Sequence, residues 1–112
     1  MNMSNVELLP SSLREQSVSK REIVLPLLAA LEAIDFFESR EIQILGWEGW
    51  VKDAQGRVGH GSAPQGTVSL EDLSVQEAIK LCRTTIVSEA AQWEEDNQGS
   101  TDVLHFCITV RA

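Results

Sequence analysis

The sequence predicts an α+β fold in which two helices pack on one face of a small, mostly antiparallel sheet of three to four strands, in the order α-β-β-α-β. Three observations predict it. Apolar residues recur every three or four positions over 19–37 and again over 74–95, which is helical spacing. Leu104, Phe106, Ile108 and Val110 alternate with His105, Cys107, Thr109 and Arg111, the period of a strand with one buried face. Between these regions, strand-like stretches at 42–52 and 57–62 flank Asp53-Ala54-Gln55-Gly56, a polar connection whose last glycine suits a left-handed turn position.

Each element follows from local chemistry. Residues 1–18 show no sustained periodicity and are expected to form a flexible arm, with one short helical turn where Ser12-Leu13-Arg14-Glu15 makes a Ser-x-x-Glu capping box after Pro10. Residues 19–112 form the single α+β domain, a size that suits one hydrophobic core. Ser19-Lys20-Arg21-Glu22 repeats the capping pattern, and Ile23, Val24, Leu27, Leu28, Leu31 and Ile34 continue it as a first helix to about Phe37. Pro26 lies inside that helix and removes the bond to the carbonyl of Glu22 at a cost of about 3 kcal/mol, so a bend or a late start near Leu25 is expected.

After the hairpin, a Gly/Ser/Pro-rich loop spans 59–66, and residues 68–70 are expected to re-enter the sheet. Ser74-Val75-Gln76-Glu77 is a third capping box. Val75, Ile79, Cys82, Ile86, Ala90 and Trp93 then mark one apolar stripe of a helix running to about Glu95, stopped by Asn97-Gln98-Gly99.

Composition bounds the function. Seventeen acidic against nine basic side chains give a net charge of −8, which disfavours nucleic acid and anionic membranes as partners and favours a basic protein. The longest apolar run, residues 23–31 broken by Pro26, is short of the roughly 18 to 20 residues needed to cross a bilayer. The N-terminus lacks the basic and apolar regions of a secretory signal, so a cytoplasmic location is expected. Cys82 and Cys107 fall in a helix and a strand and are expected as buried free thiols.

Residues 42–70 concentrate the unusual side chains: two of the three tryptophans, six of the seven glycines and one of the two histidines. Strict alternation puts Leu45, Trp47 and Val51 on one face and Ile42, Ile44 and Trp50 on the other, so one tryptophan leaves the main core. A bulge at Gly46 or Gly49 changes that phase, since glycine within a strand marks a bulge or the close approach of another backbone. The bland alternative places both rings in cores, one beneath the helices and one beneath the 59–66 loop.

No complete catalytic, metal or phosphate motif is present. His60 stands between glycines without companions at ligand spacing, and a set of His60, His105, Cys107 and Asp102 requires contacts that the sequence does not specify. His105 and Cys107 share a strand face, but nothing in the sequence supplies a site to polarise a substrate. Neither an enzyme nor a cofactor is therefore expected. Glu94, Glu95 and Asp96 crowd the end of the second helix, where the helix dipole disfavours anions, and with Glu89 and Asp102 they suggest an acidic patch for a basic partner. The competing explanation is a solvated helix end.

The expected function is that of a small acidic protein-binding domain. Immunity proteins and antitoxins, which neutralise a basic toxin or nuclease by occlusion, are the class-level analogy. The partner-binding residues expected are Trp50, Glu48, Glu94, Glu95 and Asp96. Two alternatives stand beside this: a homo-oligomeric structural or regulatory domain, and a small ligand-binding protein or enzyme using His60 in a pocket under the 59–66 loop.

Overall fold

The computed structural model describes residues 5–67 and 69–111. Its strands are β1 (Ile23–Pro26), β2 (Gln43–Lys52), β3 (Val58–Gly59) and β4 (Val103–Arg111), and its helices are α1 (Ser11–Arg14), α2 (Leu27–Ser39) and α3 (Val75–Asp96). The strands form one sheet in the order β1-β4-β2-β3. Every pairing is antiparallel. The two longer helices pack on one face of it, so the fold is α+β as the sequence predicts. The last strand is central: β4 pairs with β1 on one side and β2 on the other.

The principal departure from expectation lies at residues 19–26. Ser19 Oγ does accept the backbone N–H groups of Arg21 and Glu22, at 3.2 and 3.0 Å, so the capping chemistry forms locally. No helix follows it. Pro26 disfavours helical geometry at Leu25, and the branched Ile23 and Val24 suit an extended chain, so this stretch becomes β1. Ile23 pairs with Ile108 and Leu25 with Phe106. The helix starts late, at Leu27, with Pro26 as its cap residue. A proline is tolerated here because β1 is an edge strand.

Of the arm expected over 1–18, residues 1–4 lie outside the described residues, and residues 5–18 are packed against the domain. A 3-10 turn at Asn5–Leu8 and the single turn of α1 bury Val6, Leu9 and Leu13 in the main core. Each such side chain contributes on the order of 2 kcal/mol. Asn5 Oδ1 accepts from Val110 N at 2.9 Å, and Val18 N donates to Val24 O at 3.0 Å, which covers the outer edge of β1.

A bulge sets the phase of β2. Ile44 pairs with Val110 but Gly46 pairs with Thr109, so Leu45 is the extra residue. Ile44 thereby joins Trp47 and Val51 on the core face, instead of sharing the face of Trp50 as unbroken alternation requires. The core beneath the helices is built from these residues, from Phe106 and Ile108, and from Ala33, Ile34 and Phe37 of α2 and Ile79, Cys82 and Ile86 of α3.

The outer edge of β2 is closed in two ways. Only Val51 and Lys52 pair with β3, which is shorter than the predicted 57–62. Beyond it the loop runs back along β2 as an irregular strand: Gly49 N donates to Pro64 O at 2.9 Å, Trp47 exchanges both backbone bonds with Thr67, and Leu70 N donates to Leu45 O at 2.9 Å. Val68, part of the expected re-entry, lies outside the described residues. A Cβ on Gly49 would stand 2.5 Å from Pro64 O, and one on Gly66 would collide with Trp47 O, so both glycines are required by close backbone approach. Helix α3 follows its prediction closely. Ser74 Oγ caps Glu77 N at 3.1 Å, and Asn97 ends the helix.

Candidate functional site

Among the described residues no helix covers the other face of the sheet, and the register fixes what that face carries. Trp50 stands opposite His105, which stands opposite Pro26; Glu48 stands opposite Cys107, which stands opposite Val24. This two-row cluster is the candidate site. Trp50 Nε1 donates to Glu48 Oε1 at 3.2 Å. The Trp50 and His60 ring centroids are 4.9 Å apart at an interplanar angle of 51°, and His60 Nδ1 lies 3.3 Å from Gly49 O. Trp50 and Glu48 are both half-buried.

The three tryptophans take three different roles. Trp47 is buried at an edge-to-face contact with Phe106, centroids 5.4 Å apart, and donates from Nε1 to Thr85 Oγ1 at 2.8 Å. Trp93 is buried and donates to Ser62 Oγ at 3.0 Å, so it is the ring beneath the loop. Trp50 alone lies on the helix-free face, where His60 of the same loop packs against it. The loop thus reaches from the end of α3 across the sheet edge to the candidate site.

His105 and Cys107 are brought together on this face, but their environment suppresses reactivity. Burial pushes the Cys107 thiol up to about 12, and the carboxylates of Glu22 and Glu48 act in the same direction. A thiol held there is not a thiolate near neutral pH. Burial lowers the pKa of His105, opposed by its hydrogen bond to Val103 O and assisted by the charge of Lys52. Because that carbonyl only accepts, His105 Nδ1 at 3.0 Å carries the proton in this contact. Cys82 is likewise pushed up to about 12 by burial in the opposite core. Both cysteines are free. Among the described residues, no group of three or more His, Cys, Asp or Glu side chains is placed to hold a metal ion.

The five expected partner-binding residues separate into two groups. Trp50 and Glu48 are hydrogen-bonded together on the helix-free face. Glu94, Glu95 and Asp96 are exposed on the last turn of α3, a helix that packs on the other face. Asp96 Oδ1 accepts from Gln92 Nε2 at 3.0 Å.

Two grooves flank Glu48. One of about 400 Å³ lies between Glu48 and the loop residues His60, Pro64 and Gln65. The other, about 290 Å³, lies at the bulge beside Leu45, Gly46 and Thr109. Sequence reasoning missed Gln65 and the proximity of Glu22 to Cys107. Neither carries a local signal, because both arise from pairing between distant segments. Comparison of the chain with family models, with curated proteins and with solved structures finds no match.

Proposed function

We propose that this chain is a protein-binding inhibitor of the immunity or antitoxin type, which occludes a basic toxin or nuclease and does no chemistry itself. The observation that carries this reading is Trp50: a large amphipathic ring, half-buried on the helix-free sheet face, with its N–H held by the Glu48 carboxylate. Tryptophans so placed dominate binding energy at protein interfaces. The net charge of −8 steers encounter with a basic surface. Glu94, Glu95 and Asp96 contribute to that field from the end of α3 on the other side of the sheet and are assigned to the encounter rather than to the anchor.

The test is genetic and direct. A neighbouring gene whose product arrests growth alone is co-expressed with this chain. Growth returns with the native chain and fails with a folded Trp50→Ala, Glu48→Lys variant. Rescue that survives the double substitution, or a neighbour that is harmless, overturns the reading. A stable dimer of the isolated chain, lost on the same substitutions, favours the homo-oligomeric alternative instead. The ligand-binding alternative has one observation in its favour, the groove that places His60 beside Glu48 and Gln65.

A further inference from the structure

The groove between Glu48 and the loop has a definite chemical character. Among the described residues no Lys or Arg lines it, so it holds no fixed cation for a phosphate or carboxylate. Its one carboxylate, one imidazole and one amide are too few for a metal centre. What it offers is acceptors beside aromatic surface. Glu48 is half-buried and forms no ion pair among the described residues. Its Oε1 accepts from Trp50 Nε1, which fixes the carboxylate and leaves Oε2 free of any protein donor among the described residues. Across the groove, Gln65 is exposed and His60 presents a ring tilted against Trp50.

A half-buried carboxylate without a cation loses solvation without recovering it in an ion pair, and a cation supplied from outside restores that balance. Arginine suits these walls better than lysine. Its planar guanidinium donates in several directions at once and lies against aromatic rings, whereas an ammonium acts as a strongly hydrated point charge. We infer that this groove is a receptor for an arginine side chain presented by the partner, with Glu48 as acceptor and the His60 ring, itself packed on Trp50, as the stacking wall. This rests on the inhibitor reading for the source of the arginine, though not for the chemistry of the groove.

The experiment uses the full chain, nitrogen-15 labelled, titrated with N-acetyl-arginine amide and, separately, N-acetyl-lysine amide. The indole N–H resonance of Trp50 is identified by its loss in Trp50→Phe. The arginine compound is expected to move that resonance and leave those of Trp47 and Trp93 in place, with a midpoint lower than the lysine compound's by about fivefold. Glu48→Gln keeps an acceptor for the indole but removes the charge, and raises the arginine midpoint by about fivefold or more. A Trp50 resonance that stays still, answers both compounds equally, or is indifferent to Glu48→Gln overturns the inference. Growth rescue that depends on Trp50 and Glu48 alongside a silent titration removes the arginine receptor and leaves the inhibitor reading standing. An arginine response without rescue does the reverse.

Discussion

Trp47 and Trp50 stand three residues apart on one strand, and the sheet sends them into opposite environments. Trp47 enters a core closed by two helices, where its ring meets Phe106 and its N–H meets Thr85. Trp50 lies on the face without helices, where its N–H meets a carboxylate and its ring meets an exposed histidine. The first arrangement satisfies every polar group inside the protein and maximises burial. The second keeps aromatic surface and an acceptor available. Even so, the open face is not loosely built: Val24 is fully buried there, and Cys107 and His105 are only 4% and 5% exposed. Ser17 and Val18 bond to Val24 and His60 packs on Trp50, and the Glu48 carboxylate holds the Trp50 N–H, so the ring is tied at two points.

The largest expected effect separates the two rings by stability. Trp47→Ala costs about 3–5 kcal/mol, as removal of a fully packed aromatic does, and is read as a fall in the denaturant midpoint. Trp50→Ala costs about 1 kcal/mol or less, because the half-buried ring is not part of the closed core. Equal losses at the two positions break the distinction between the faces.

Next come the glycines that let the loop close along β2. Gly49→Ala and Gly66→Ala each force backbone apart and cost about 1–3 kcal/mol. Gly59→Ala, where an added Cβ meets nothing within 4 Å, changes stability by about 0.5 kcal/mol or less. Thermal or chemical melts of the three variants decide this, and a costly Gly59→Ala beside a harmless Gly49→Ala removes the account of the edge.

A smaller effect belongs to His105. Burial first, and Lys52 after it, hold its pKa below the ordinary 6.5. The unfolded chain therefore binds a proton more readily than the folded one between those two values. The contribution is intact above pH 6.5 and is lost as pH falls through the folded pKa. Stability measured from pH 7.5 downward should decline across that window, and His105→Gln should flatten the decline. A profile unchanged by the substitution places the titration elsewhere.

The smallest expected signal is chemical silence. With both thiols pushed up to about 12, Cys82 in the closed core and Cys107 on the open face should react with a maleimide only when the chain unfolds. Rapid labelling of Cys107 in the native protein, with Cys82 untouched, is the outcome that reveals the open face to be less firmly covered than its neighbours indicate.

Much of the fold was legible where short-range chemistry controls it. The Ser74 box, the apolar stripe of α3 and its stop at Asn97 are all local decisions made within a few residues, and they appear as predicted. The Asp53–Gly56 turn is equally local, and Gly56 adopts a positive φ of 85°; β4 forms as a strand, but burial covers both its faces from Leu104 to Ile108 instead of the one face its alternation predicts. At residues 23–26, Ile, Val and Leu before a proline satisfy helical spacing and strand chemistry alike. Only pairing with β4 decides between them. At residues 5–18, Val6, Leu9 and Leu13 are too few to show a period, yet all three are buried in the main core.

For the candidate site, the residue types were visible and their grouping was not. Composition and spacing alone named Trp50, Glu48, Glu94, Glu95 and Asp96, set the acidic charge, and marked the glycines as places of bending or close approach. Tertiary structure decided that Leu45 bulges, that Ile44 rather than Trp50 joins the core, that His60 packs on the outward ring, and that the acidic helix end belongs to the other side of the sheet. The reason is that a strand's facing has a period of two, so one extra residue reverses it, and the position of that residue is set by hydrogen bonds to segments tens of residues away.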